Sequence, residues 1–178
     1  MIDVRLFHSI HDLARKNDSV DWIMSQSSSW GYILFISIIF LLLLFPTYRK
    51  VGVTGFVTLA IALGLNKVLK SVFDRPRPFV EHEVDILISK EPSPSFPSDQ
   101  ALIAGVFAGV FLFSSFKKTI KIIVLVVALL VVFSRVFVGH HYPSDVAVGF
   151  LLGLSISFVT KKRMAYISLR KKKSVQAV

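Results

Sequence analysis

WGYILFISIIFLLLLFPTY, residues Trp30–Tyr48, carries no charged side chain. Its apolar residues are continuous and do not alternate, which excludes a strand of a membrane barrel. A helix needs about 20 such residues to cross a bilayer. Three further uncharged segments follow: Val51–Asn66, Gln100–Phe116, and Ile122 up to Arg135. A fifth runs from Val146 to Thr160. Each reaches spanning length by extending into its flanks, the fourth from about Lys118 to Val138. The pattern predicts an all-α integral membrane helical bundle with five transmembrane helices.

Residues 1–26 read differently. Ile2–Met24 contains Asp3, Arg5, Asp12, Arg15, Lys16, Asp18 and Asp21, with Ile2, Leu6, Ile10, Leu13 and Ala14 at helical spacing. That is an amphipathic helix lying in the interface, and a sixth span there would carry charges into the bilayer at high cost. No basic region followed by a short apolar stretch and a small-residue cleavage site opens the chain, so the first span is expected to direct insertion. Cysteine is absent, which removes disulfide and thiolate chemistry.

Of all residues, 53% are hydrophobic, and the formal net charge is +10. The cations sit in short clusters between apolar runs, the mark of cytoplasmic loops and not of a nucleic-acid surface. Arg49 and Lys50, then Lys117, Lys118 and Lys121, then the basic tail 161–178 all fall on one side of an alternating bundle. That side is expected to be cytoplasmic. Residues 70–99 and the turn Gly139–Tyr142 then face outward. Lys70, Arg75 and Arg77 break the charge rule there, and an anion site would explain it.

Three stretches meet at that outer end. In KSVFDRPRP, Lys70–Pro78, each arginine precedes a proline, which favours extended backbone and sends both side chains to one side. A guanidinium fork and an ammonium suit a phosphate, although interfacial cations also pair with lipid headgroups. In SFPSDQ, Ser95–Gln100, Ser98 is placed as the N-cap of the third span, a plain cap or the mouth of an anion site. In SRVFVGHHYPSD, Ser134–Asp145, His141 and Asp145 lie four apart around a helix start at Pro143. A carboxylate there can hold one imidazole nitrogen protonated and leave the other free to attack. A metal held by His140, His141 and Asp145 is the competing reading. It lacks a strong third ligand, because adjacent histidines diverge.

Together these stretches resemble the motif set of the type 2 phosphatidic acid phosphatase superfamily. Lys70, Arg77 and Pro78 match its first motif. Ser134, Arg135, His141 and Asp145 match its third without gaps. The second, usually Pro-Ser-Gly-His, is here Pro97-Ser98-Asp99-Gln100. The wider pattern resembles the bacitracin-resistance type of undecaprenyl diphosphate phosphatase. The resemblance implies one membrane-embedded phosphatase domain over 1–178 and no metal or other cofactor. It implies a polyprenyl diphosphate as the lipid partner, handled in the plasma membrane while the carrier of cell-wall synthesis is recycled. His141 would attack phosphorus to form a phosphohistidine, and Asp145 would orient it. Lys70, Arg77, Ser98, Asp99 and Arg135 would form the phosphate site, with Arg75 and His140 as further candidates.

Gln100 stands where that family protonates the leaving oxygen, and glutamine cannot do so. A lipid alcohol would leave poorly without an acid, whose help is worth about 10²–10⁴-fold. A phosphate monoester, with a last pKa of about 6, can leave as an anion. Gln100 therefore favours a diphosphate over phosphatidic acid or phosphatidylglycerol phosphate. The remaining alternative is a catalytically impaired lipid-phosphate-binding homologue. Asp99 adds a carboxylate, which repels a phosphate unless it pairs with a cation such as Arg75 or Arg77, or is protonated.

Overall fold

The computed structural model describes residues 2–176, with side chains to Arg170. The described chain is helical, with no strand. An N-terminal helix, α1 (Ile2–His11), precedes α2 (Asp18–Leu44) and α3 (Arg49–Phe73). A single turn, α4 (Pro78–Glu81), and an irregular connection lead to α5 (Asp99–Leu112). Then come α6 (Lys118–Phe137) and α7 (Pro143–Gln176). Among the described residues, α2, α3, α6 and α7 are long and apolar enough to cross a membrane. Their outward faces carry a belt of large apolar side chains, Trp30, Phe40, Phe56, Ile61, Ile123, Val126 and Leu151, all more than half exposed. Such a surface is stable in lipid and not in water.

The remaining expected span, α5, has 14 residues and is about 21 Å long, less than a bilayer core. It runs through the middle of the bundle, and every residue from Ala101 to Phe111 is buried. A helix apolar all round belongs in a core. Its closest partner is α7, and glycines set the approach. A Cβ on Gly105 would lie 2.1 Å from the Phe150 carbonyl oxygen, and one on Gly153 would lie 2.2 Å from that of Leu102. Gly105 lies against the Phe150 backbone and Gly109 against Ser157, while Gly149 lies against Ser98 and Gly153 against Leu102 and Gly105, which lets two backbones pack in near contact. Phe35 of α2 stacks on Phe107 at 4.3 Å from the other side.

The N-terminal segment differs from the expected single helix over 1–26. It is divided, because Asn17 caps α2, accepting from the Ser19 and Val20 amides at 3.0 and 3.2 Å. Asp18 and Asp21 then fall in the first turn of α2, where the helix dipole favours them. The first span accordingly begins well before Trp30. On α1, Ile2 and Leu6 stay exposed while Phe7 is fully buried against Tyr142. His11 Nδ1 donates to the Phe137 carbonyl at 2.8 Å. These contacts fasten α1 to the corner between α6 and α7, next to the motif residues.

Candidate active site

The turn between α6 and α7 carries the reactive pair. Gly139 takes φ +89°, a conformation that strains any other residue, and so redirects the chain after α6. Pro143 then starts α7 and places Asp145 in its first turn. Asp145 has no exposed surface. Its Oδ2 accepts from the Tyr142 amide at 2.9 Å and from the Ser95 hydroxyl at 2.5 Å. Its Oδ1 accepts from Arg75 Nη1 at 2.8 Å. These donors compensate the buried carboxylate and fix its direction.

His141 is 2% exposed. Its Nδ1 lies 3.7 Å from Asp145 Oδ2 and 3.3 Å from Ser95 Oγ. The Ser95 proton is already committed to Asp145. Its oxygen therefore accepts from His141 Nδ1–H, and serine bridges the expected pair. This tautomer leaves the Nε2 lone pair outward, where Arg77 Nη1 donates to it at 2.9 Å. Burial first, and then the charges of Arg135 and Arg77, hold the His141 pKa well below its usual value. At neutral pH the ring is uncharged and its Nε2 can attack.

The cations surround that nitrogen. Arg77 also donates to the His140 and Ser93 carbonyls, at 2.9 and 3.1 Å. Burial lowers its pKa, and Asp99 and Asp145 oppose the fall. Arg135 is buried at the end of α6, held by the Ser28 hydroxyl and carbonyl of α2, and its Nε has no partner. Lys90 joins them from the irregular connection: burial, then the charges of Arg77, Arg135 and Lys70, lower its pKa. Cations packed this closely destabilise one another, and a bound polyanion would relieve the strain. Ser98 caps α5, accepting from the Ala101 amide at 3.4 Å, so the positive end of that helix points at the same place. A cleft of about 330 Å³ lies beside Arg75 and Arg77, walled by Pro92 and Pro94.

Three expectations are corrected. Asp99 does not pair with Arg75 or Arg77. It binds Lys70 and accepts from Asn66 Nδ2 at 2.7 Å. Lys70 lies on the last turn of α3, one side chain from the start of α5, whereas both arginines have left the helix. Arg75 does not turn towards the phosphate site with Arg77. It stands behind Asp145, with Nη2 on Asp3 Oδ2 at 2.8 Å, Nη1 on Ser144 Oγ at 2.8 Å, and its guanidinium 4.0 Å over the Tyr142 ring. His140 diverges from His141 and donates Nε2–H to the Ile88 carbonyl at 2.7 Å. Its pKa falls to about 3, through burial first and then Arg135. Gln100 does reach the mouth of α5, and its buried Oε1 lacks a protein partner. Ser95, Asp3, Asn66, Ser28 and Lys90 had no assigned role in the sequence reading. For Ser95 the signal was its place three residues before Ser98. The other four lie outside the motifs and offered none.

A membrane-embedded helical bundle whose buried histidine faces converging cations defines a phosphoryl-transfer site. Comparison with known proteins agrees. The PAP2 superfamily profile matches residues 52–168, and the chain belongs to that superfamily. Over 164 residues it is 32% identical to the undecaprenyl-diphosphatase BcrC of Bacillus subtilis, covering 89% of this chain and 82% of that protein. It is 39% identical over 128 residues to an undecaprenyl-diphosphatase of Sulfolobus acidocaldarius, covering 71% of this chain and 62% of that one. The crystal structure of Aquifex aeolicus LpxE superposes with a TM-score of 0.80 at 27% identity, covering 91% of this chain and 96% of that one.

Proposed function

We propose that the protein is an undecaprenyl-diphosphatase, releasing phosphate from the lipid diphosphate and leaving the lipid monophosphate. The observation that carries this reading is the His141–Ser95–Asp145 relay aimed at the Arg77, Arg135, Lys70 and Lys90 cluster. The names of the two relatives described above support the substrate.

In the proposed reaction Arg77 moves its Nη1–H from His141 Nε2 onto a terminal phosphoryl oxygen. Nε2 attacks the terminal phosphorus, and the bridging P–O bond breaks. The leaving group departs as the phosphate monoester anion, its charge met by the neighbouring cations. The imidazolium-like phosphohistidine is stabilised through Nδ1–H, Ser95 and Asp145. Water then attacks phosphorus as the P–Nε2 bond breaks, its hydroxyl stays on phosphorus and its second proton passes to a phosphoryl oxygen, and phosphate leaves with His141 back in its neutral form, Nδ1 still protonated. Gln100 can hydrogen-bond the leaving oxygen without protonating it, which fits a diphosphate. The site faces away from the basic end of the bundle, and so towards the extracytoplasmic side under the charge rule.

Phosphate release from farnesyl or undecaprenyl diphosphate by purified protein tests this. His141→Ala is expected to abolish it. Undiminished release from that variant would remove His141 as the nucleophile.

A further inference from the structure

The end of the bundle opposite the site carries an unusual charge distribution. No Asp or Glu occurs between Asp21 and Asp74, between Asp99 and Asp145, or after Asp145. The Arg49–Lys50 turn, the Lys117–Lys121 turn and the helix beyond Lys161 therefore hold cations with no acidic residue among them. The ion pairs found among the described residues all lie at the other end.

This end is also incomplete in packing. α5 stops at Leu112, while α7 continues beyond it. The gap left below α5, between the start of α3 and the second half of α7, is a cleft of about 620 Å³. Val110, Phe113 and Met164 contribute apolar wall, and Arg49, Lys50 and Lys161 stand in its lining. Among the described residues, Arg49 makes one side-chain bond, Nε–H to the Leu43 carbonyl at 3.2 Å, with both terminal nitrogens turned to no protein partner. The volume lies in the range of small-molecule sites. Basic pockets between spanning helices suit lipid phosphates.

We propose that this cleft binds one anionic phospholipid from the leaflet at the basic end, its acyl chain on the apolar wall and its phosphate on Arg49, Lys50 and Lys161. The lipid takes the place of the missing turns of α5 and ties α3 to α7. An apolar wall alone would accept any lipid tail. The uncompensated cations select the net negative headgroup, because a zwitterionic headgroup brings its own ammonium against them.

The test uses the full purified chain in detergent, with added phosphatidylglycerol, phosphatidylcholine of the same acyl chains, or inorganic phosphate. Lipid retained per chain is read by native mass spectrometry and the thermal midpoint by unfolding. Phosphatidylglycerol is expected to be retained at one per chain and to raise the midpoint, while the other two do neither. Arg49→Gln with Lys50→Gln and Lys161→Gln removes three cations and is expected to weaken retention on the order of 100-fold. The control, Lys117→Gln with Lys118→Gln and Lys121→Gln, removes the same charge outside the cleft and leaves retention unchanged. Ala165→Trp keeps every cation but fills the cleft, and is expected to abolish retention. Phosphate release from a lipid diphosphate stays intact in all these variants, showing that they fold. Equal losses in the two triple variants would reduce the effect to diffuse surface attraction and overturn the proposal. So would equal retention of phosphatidylcholine, a midpoint shift from inorganic phosphate, or full retention by Ala165→Trp.

Discussion

Ser95 illustrates how much rests on one hydroxyl. Its oxygen is 3.3 Å from His141 Nδ1 and 2.5 Å from Asp145 Oδ2, and the direct gap is 3.7 Å. Ser95→Ala removes the bridge without opening the fold. Turnover is expected to fall about 100-fold, with Ser95→Thr restoring much of it, measured as phosphate release. Gln100→His supplies the missing acid. It is expected to raise hydrolysis of phosphatidic acid more than that of a polyprenyl diphosphate, and equal gains would undo the leaving-group argument. His140 and His141 also set a pH dependence of stability. Both have folded pKa values below the unfolded value near 6.5, so both stay neutral when folded and gain protons on unfolding. Their contribution is present above pH 6.5 and is lost as pH falls towards the folded values, by up to about 1.4 kcal/mol per pH unit for each. The thermal midpoint is expected to drop between pH 6.5 and 4. His140→Asn flattens that slope.

At the scale of elements, the contact of α5 with α7 holds the site in place, since Ser98 on one and Asp145 on the other share a backbone bond of 3.1 Å. Gly105 makes that approach possible. Gly105→Leu sets a side chain where a backbone oxygen already lies 2.1 Å from the Cβ position. It is expected to destabilise by more than about 3 kcal/mol and to lower activity together with stability, read by midpoint and phosphate release in parallel. The Gly105–Gly109 and Gly149–Gly153 spacings were visible in the sequence. Their pairing was not, because a small residue in a helix does not name the helix it will face. α1 shows the reverse case. Its amphipathic pattern was readable, but Asp3 reaching Arg75 and Ser144 depends on where α1 docks.

For the molecule as a whole, the separation of charge predicts a topology. With no native cysteine, single labels can report it. Glu83→Cys, in the connection beside the site, is expected to react with an impermeant thiol reagent in intact cells. Thr119→Cys, at the basic end, is expected to react only after permeabilisation, and the opposite pattern would invert the proposed orientation. The fold class was determined by the sequence alone, because uncharged runs of spanning length have one stable answer in lipid, a helix with its backbone bonded internally. The resemblance of the motif set likewise implied that His141, Asp145, Arg77 and Arg135 share one site. The partnerships were decided only by tertiary structure. Asp99 chose Lys70, Arg75 turned behind Asp145, Ser95 entered the relay, and α5 became the short, buried central helix. Each of these turns on a few ångströms between segments distant in the chain, and burial makes the partner a polar group finds there the deciding energy.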